Sequence, residues 1–290
     1  MKHYRIVTLF LTAAACAGAL VYGIRATAQT PPAAPEKITM PPNRMAHVLV
    51  VGQTNGFEHD SVPDAMANVW RMGHDSKLWD ATLRTDTENI TKSETKKGNF
   101  KSLKYFDVIV FASTTGELDL KDDQKADMMS FIKEDGKGFV GIHAALDTNY
   151  KWPEYGEMIG GWFDQHPWFT FNAPIIVEDP NFPAVRHFPH AFTKRDEIYQ
   201  PKEWSRDKVN VLLRLDASKL NYENNPRIHR ADRDFAVAWS KMYGKGRVFY
   251  STLGHTKEAW DDPDITKMYF EGIKWTLGLT EGSTASHPQQ

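Results

Sequence analysis

Three uninterrupted apolar runs most constrain the fold of this chain. They lie at 47–52 (HVLVVG), 105–113 (YFDVIVFAS) and 138–143 (GFVGIH), and segments with helical spacing separate them. A run without regular polar alternation is typical of a strand buried on both faces. Strands that alternate with helices favour a parallel sheet covered on both sides. The expected fold class is therefore α/β, with a mostly parallel sheet and helices on both faces.

The rest of the chain is predicted from periodicity and turn residues. A single elaborated domain, 46–279, is the simplest organisation, and a disordered tail, 280–290, is expected after it. The second half is less regular than the first and includes a hairpin around the turn 243–246. The expected helices are 63–72, 121–134 and 265–277, and the further expected strands are 76–81, 169–178, 209–216, 235–240 and 246–252.

The first 28 residues have the pattern of an export signal. Lys2 and Arg5 precede an apolar stretch, and Ala26-Thr27-Ala28 offers a cleavage site between small residues. Cleavage would leave a proline-rich linker, 29–45, and a periplasmic or extracellular protein. Two alternatives stay open, namely an uncleaved membrane anchor and a lipoprotein attached at Cys16. Because Cys16 is the only cysteine, the mature chain would have no disulfide and no thiol nucleophile.

Composition and missing motifs exclude several function classes. The net charge is −2 and no basic run stands out, so we expect no nucleic-acid partner. The first expected strand is not followed by GxGxxG, and the chain has no GxxxxGK[ST] segment. We therefore predict no nicotinamide cofactor. A GxSxG hydrolase elbow is also missing, because 141–145 reads GIHAA.

Polar residues follow four of the expected strands, where the carboxyl ends of a parallel sheet form one edge. The segments are 55–60 (NGFEHD), 113–117 (STTGE), the strand end at His143 and 254–256 (GHT). Because functional loops gather at that edge, we expect these segments to build a common site.

Five motifs in order resemble the ThuA-like, or trehalose-utilisation, family. They are GFEHDS (56–61), FDVIVFASTTGE (106–117), GKGFVGIHAA (136–145), MIGGWFDQHP (158–167) and GRVFYSTLGHT (246–256). The resemblance implies a flavodoxin-like fold similar to class I glutamine amidotransferases. Those relatives have a cysteine at the elbow and a histidine after a later strand, positions that His143 and His255 take here. Amidotransferase chemistry therefore cannot carry over.

The same resemblance implies a role in carbohydrate breakdown, notably of sugars that a separate dehydrogenase has oxidised at C3. We expect an exported enzyme that cleaves oxidised glycosides, with the 3-keto form as the favoured substrate, by elimination or hydrolysis. A non-catalytic carbohydrate-binding or scaffold module with the same fold is the main alternative. A hydrolase that acts on another polar substrate through metal-bound water is a third hypothesis.

Histidines are the candidate catalytic groups, and two arrangements stay open. In the first, His59, His143, His166 and His255 hold one divalent metal such as Zn. In the second, His143 and His255 act as acid and base without a metal. The carboxylates expected to orient the histidines are Glu58, Asp60 and Asp147.

Aromatic residues beside the motifs are the candidate sugar-binding groups, because the C–H face of a sugar ring is apolar. Thr114 and Thr115 are added as hydrogen-bonding residues. Whether the polar segment 221–234 folds over the site as a lid is left open. The aromatic candidates are Phe57, Tyr150, Trp152, Trp162, Trp168 and Trp260.

Overall fold

The computed structural model describes Met1, residues 44–93 and residues 101–289. Nearly all of the expected signal and of the proline-rich linker lies outside the described residues. Among the described residues, no helix has the length and apolar character needed to cross a bilayer.

Strands and helices alternate through the first half, whereas strands dominate the second. The first half contains β1 (Ala46–Val51), α1 (Val62–Ser76), β2 (Trp79–Arg84), β3 (Val108–Ala112), α2 (Asp122–Lys133), β4 (Gly138–Ile142) and α3 (Pro153–Ile159). The second half contains β5 (Trp162–Gln165), β6 (Thr170–Val177), β7 (Ala191–Glu197), β8 (Gln200–Lys202), β9 (Asn210–Leu215), β10 (Ala236–Tyr243), β11 (Gly246–Ser251) and α4 (Pro263–Thr276).

A nine-stranded sheet, in the order β2-β1-β3-β4-β11-β10-β9-β6-β7, forms the centre of the domain. The strands β2, β1, β3, β4 and β11 are parallel. From β11 onward each neighbouring pair is antiparallel, which includes the expected hairpin of β10 and β11. The predicted α/β fold class with a mostly parallel sheet is confirmed. The loops expected to build a common site follow strands of this parallel half.

Both faces of the sheet are covered, as the apolar runs predict. In β1, Val48 and Val50 pack with α1 and α4, whereas Leu49 and Val51 pack with α2 and α3. Successive residues of a strand point to opposite faces, so a strand buried on both sides needs an apolar residue at every position. This requirement explains why the sequence shows no alternation there.

Two predicted boundaries differ from the structure. The expected strand 76–81 starts too early, because α1 continues to Ser76 and Lys77 ends it with a left-handed φ of 62°. Trp79 then begins β2, and its buried indole donates a hydrogen bond to the Val69 carbonyl. The expected disordered tail also differs, because several of its described residues, up to His287, make hydrogen bonds with the domain. For example, Asn210 donates to the Ser283 carbonyl at 2.9 Å.

Candidate functional site

A sharp bend places His143 at the end of β4. The residue opens a short 3₁₀ helix, His143–Leu146, and its φ of +43° lies in the left-handed region. The ring is fully buried, and Nδ1–H donates to the Thr252 carbonyl at 2.5 Å. The Tyr250 hydroxyl donates to the His143 carbonyl at 2.8 Å. With Nδ1–H donating in this way, the neutral ring presents a lone pair at Nε2, which can accept a hydrogen bond or bind a metal.

Three imidazole rings meet at this point. His59 follows β1 and His255 follows β11, so the three histidines come from the carboxyl ends of three parallel strands. Their ring centroids are 4.9 Å apart for His59 and His143, 5.1 Å for His59 and His255, and 5.0 Å for His143 and His255. Nδ1 of His255 lies 3.1 Å from Nε2 of His143.

Glu197, at the end of β7, completes the group. Its Oε2 lies 3.3 Å from Nδ1 of His255 and 3.7 Å from Nε2 of His143. The ligand atoms of His59, His143, Glu197 and His255 all lie within 4.8 Å of one another. We call these four residues the histidine cluster.

Asp196 fixes the backbone beside the cluster. Its carboxylate accepts hydrogen bonds from the backbone N–H groups of Gly254, at 2.7 Å, and His255, at 3.0 Å. Because Asp196 precedes Glu197 in the chain, one two-residue segment supplies Glu197 to the cluster and also holds the backbone of the loop that carries His255.

Burial controls the protonation of the cluster. It is the main cause that lowers the pKa of His59 to about 4 and the pKa of His143 well below its usual value, and neighbouring histidines add to both effects. Burial also lowers the pKa of His255. Burial and the nearby Asp196 raise the pKa of Glu197 to about 7. The imidazoles are therefore neutral near pH 7, and the carboxyl group of Glu197 gains and loses its proton near neutral pH.

Two adjoining cavities open over the cluster and share Phe57, His59 and His255. The first, which we call the aromatic cavity, has a volume of about 490 Å³. The second, the polar cavity, has about 510 Å³. Both volumes are those of small-ligand sites. The aromatic cavity is lined by Phe57, His59, Asp147, Phe163, His166, Phe169, Thr170, Glu197, Tyr199 and His255. The polar cavity is lined by Phe57, Glu58, His59, Asp60, His255, Thr256, Lys257 and Glu258.

The fourth predicted histidine and the predicted carboxylates lie around the cluster. His166 is outside the four-residue group, with Nδ1 3.6 Å from Oε1 of Glu197. Glu58 and Asp60 are exposed and line the polar cavity. Asp147 lines the aromatic cavity and accepts a hydrogen bond from the Tyr150 hydroxyl at 2.5 Å. The structure instead gives His143 the Thr252 carbonyl as its orienting partner.

The tryptophans expected to bind sugar pack elsewhere. Trp152, Trp162 and Trp260 are at most 7% exposed. Trp168 is partly buried against Phe235, and its indole N–H donates to the Asn221 carbonyl at 2.9 Å. All four are absent from the described linings of both cavities. Large indoles fill the interior here because they bury more apolar area than any other side chain.

Thr114 and Thr115 also have local roles. Both are fully buried, Thr114 bonds to the Thr148 hydroxyl at 3.0 Å, and Thr115 donates to the Phe57 carbonyl at 2.9 Å. Of the predicted aromatic residues, Phe57 lines both cavities. Tyr150 contributes through its hydrogen bond to Asp147.

The segment 221–234 lies against the loop between β5 and β6 and does not enter the described lining of either cavity. The Asn225 side chain donates to the Pro167 carbonyl at 2.8 Å, and Arg227 lies over the ring of Phe169. The segment therefore contacts Phe169, one of the residues that line the aromatic cavity.

Sequence reasoning missed Asp196, Glu197, Phe163, Phe169 and Tyr199. An acidic pair ahead of Ile198 was the signal for the first two, but nothing in the sequence distinguishes it from the other acids. Phe163 lies within the motif 158–167 and Phe169 lies just after it, where the tryptophans drew attention instead. Tyr199 lies outside all five motifs.

Comparisons with known proteins agree on one family. The family profile named ThuA and described as trehalose utilisation matches residues 47–276. A ThuA-like protein of known structure from Bacteroides uniformis has 20% identity and a TM-score of 0.63, over 80% of this chain and 91% of that one. A second, from Parabacteroides merdae, has 17% identity and a TM-score of 0.61, over 84% and 97%. No curated protein matched the chain.

Proposed function

The chain belongs to the ThuA family of trehalose utilisation, and from that premise we propose that it is a carbohydrate-processing enzyme whose histidine cluster holds one divalent metal ion. The observation that carries the proposal is the convergence of three imidazoles and one carboxylate at the floor of two cavities. Neutral imidazole and carboxylate are ligands that Zn and its neighbours in the first transition row accept.

The spacing of three of the donor atoms fits one ion, and the fourth, on His59, lies within 4.8 Å of the others. Metal–nitrogen bonds of about 2.0–2.1 Å separate two ligand atoms by about 3.3 Å in a tetrahedral site and by about 2.9 Å in an octahedral one. The distances of 3.1, 3.3 and 3.7 Å among His143, His255 and Glu197 lie close to this range.

The hydrogen bonding of the rings supports the same conclusion. The bond from Nδ1–H of His143 to the Thr252 carbonyl is the outer contact that metal-binding histidines usually make. Nδ1 of His59 is buried and has no hydrogen-bond partner among the described residues. A buried nitrogen without a hydrogen-bond partner is unfavourable. Metal binding by the His59 ring would explain why the ring is buried despite this cost.

The proposed substrate is a glycoside oxidised at C3. A ketone at C3 acidifies the hydrogen on C2. When a base takes that proton, the C1–O bond breaks, the leaving alcohol gains a proton, and an unsaturated ketone remains. Addition of water then completes hydrolysis. A bound divalent ion would stabilise the negative charge that develops on the ketone oxygen.

The residues of the aromatic cavity supply the remaining functions. His166 and Asp147 line it and stay outside the cluster, so they are our candidates to take and return protons. With a metal bound, His143 and His255 become ligands in place of the acid–base pair expected from the sequence. A separate dehydrogenase would supply the keto sugar, and we place the reaction outside the cytoplasm because of the N-terminal export pattern.

Metal analysis joined to a turnover assay tests the proposal. Purified protein should contain about one Zn, Mn, Ni or Fe per chain by elemental analysis, and should convert methyl 3-keto-glucoside to products seen by NMR. His143→Ala should abolish both results, whereas His74→Ala, an exposed histidine on α1, should leave both unchanged.

Two results would count against the proposed enzyme. Protein that binds none of these metals and leaves the keto-glycoside intact contradicts the proposal. If the protein binds sugar without turnover, and binding survives His143→Ala and His255→Ala, the carbohydrate-binding module is the better description.

A further inference from the structure

Phe169 combines two unfavourable features at the rim of the aromatic cavity. Its φ is +51°, a left-handed conformation that is a genuine outlier for a bulky residue. Half of the side chain, 50%, is exposed to solvent. Strained residues persist where the surrounding structure holds them, and they cluster at ligand sites.

Several contacts hold Phe169 in this conformation. Its backbone N–H donates to the His166 carbonyl at 3.0 Å, and its ring lies 4.9 Å from the His166 ring. The guanidinium carbon of Arg227 lies 4.8 Å from the ring centre. Arg227 is itself anchored, because the Gln200 side chain donates to its carbonyl at 3.3 Å. The segment 221–234 therefore fixes the direction of the Phe169 ring.

A second exposed phenyl ring lines the same cavity. Phe57 is 67% exposed, and its ring lies 4.8 Å from the ring of His59 in the histidine cluster. Phe57 follows β1 and Phe169 precedes β6, so separate loops bring the two rings to one cavity. Exposed phenyl rings beside neutral imidazoles and two carboxylates, Asp147 and Glu197, suit a ligand with an apolar face and a hydroxylated edge.

We propose that Phe57 and Phe169 form an aromatic clamp for the apolar C–H face of a pyranose ring, and that Arg227 is the positioning residue that holds Phe169 in the clamp. The choice of a sugar as ligand rests on the proposed function. The clamp places the ring beside the histidine cluster, and hydroxyl groups at the ring edge can donate to Asp147.

Calorimetric titration with 1,5-anhydro-3-keto-glucitol tests the clamp, because this sugar has no glycosidic bond to cleave. Phe169→Ala should weaken binding about tenfold, because loss of the phenyl ring returns part of the apolar sugar face to water. Phe57→Ala should have a similar effect. Trp70→Ala is the matched control, since Trp70 is an exposed aromatic residue on α1 outside both cavities.

The role of Arg227 has its own test. Arg227→Ala should weaken binding about two- to fivefold, the contribution of an exposed cation–π contact. The double variant Phe169→Ala/Arg227→Ala should bind no more weakly than Phe169→Ala alone, because Arg227 acts through the ring. Arg233→Ala is the control, because Arg233 lies over the ring of Tyr222 instead.

A stability measurement separates lost contacts from lost folding. Phe169→Gly releases the left-handed strain, which offsets part of the loss of ring contacts, so its melting temperature should stay close to that of the wild type while binding weakens. Wild-type protein that does not bind the keto sugar overturns the proposed function and the clamp together. Equal binding by the wild type and Phe169→Ala overturns the clamp alone. A further loss in the double variant overturns the positioning role of Arg227.

Discussion

Replacing Glu197 with Gln should remove most of the pH dependence of metal binding between pH 6 and pH 8. Burial raises the pKa of Glu197 to about 7 in the metal-free protein, and the neighbouring Asp196 adds to this shift. The pKa of His59 is lowered to about 4, and burial also lowers those of His143 and His255. Burial also raises the pKa of Asp196 to about 7, but its carboxyl group accepts hydrogen bonds from the backbone of Gly254 and His255 and is not part of the cluster. Over this pH range, the proton that competes directly with the metal is therefore the one on Glu197.

The sign and size of the change in metal affinity with pH follow from the titration of Glu197. A carboxylate binds metal in its ionised form, so affinity should fall as the pH falls through 7 and Glu197 gains a proton. For a pKa near 7, the apparent affinity should fall about tenfold from pH 8 to pH 6, which corresponds to about 1.4 kcal/mol. In Glu197→Gln the affinity should be lower at pH 8 and nearly constant down to pH 6.

Competition with a coloured chelator at pH 6, 7 and 8 measures these affinities. Glu58→Gln is the matched control, because Glu58 is an exposed carboxylate that lines the polar cavity. It should keep the tenfold fall of the wild type. If metal affinity changes equally with pH in the wild type and Glu197→Gln, the reasoning is refuted, because the competing proton then belongs to another group.

Further predictions concern packing and backbone strain. Trp260→Ala should lower the free energy of unfolding by about 3–5 kcal/mol in urea denaturation, because the indole is buried against Tyr269. Phe57→Ala should change the free energy of unfolding by less than about 0.5 kcal/mol, because the ring is exposed. A larger loss in Phe57→Ala than in Trp260→Ala would show that Trp260 is not structural. Gly116→Ala should cost about 1–3 kcal/mol in the same assay, since φ is +73° and a Cβ would lie 2.7 Å from the Asn55 carbonyl carbon. An unchanged midpoint would show that the 55–60 loop shifts without cost.

The parallel half of the sheet could be predicted because its strands are buried on both faces. Val108 to Ala112 are all buried, so each position had to be apolar and the run was conspicuous. The edge strand β7 lacks this property. Its first five residues are at least partly exposed, and the segment AFTKRDE is mainly polar. β5 and β8 have only four and three residues, too few for a period to be recognised.

The same physics limits what could be predicted of the site. His59, His143 and His255 follow parallel strands, whose carboxyl ends share one edge, and the sequence order was enough to bring them together. Glu197 reaches the cluster from an edge strand at the far end of the sheet order. Its position depends on the path of the antiparallel half, where the Tyr199 backbone N–H donates to the Thr252 hydroxyl. No local pattern encodes that path.

The tryptophans show a different limit, since proximity to a motif in sequence does not fix the direction of a side chain. Trp162 lies within a motif, yet its ring packs against Gly156 of α3, where a Cβ would lie 2.2 Å from the indole. The small residue makes room for the large one, and this pairing is visible only in three dimensions. Phe169, seven residues later, is the ring that reaches the cavity.

The bend at His143 explains how a histidine can occupy a position that holds a nucleophile in other α/β enzymes. A nucleophile needs one exposed atom at the strand end. An imidazole that binds a metal needs one nitrogen directed at the metal and the other at a hydrogen-bond acceptor. Here the left-handed φ turns the ring so that Nδ1 meets the carbonyl of Thr252, the residue that follows the adjacent strand β11. Nε2 then faces His255 and Glu197. Because the parallel pairing of β4 and β11 sets both contacts, the bend and the cluster depend on the same strand register.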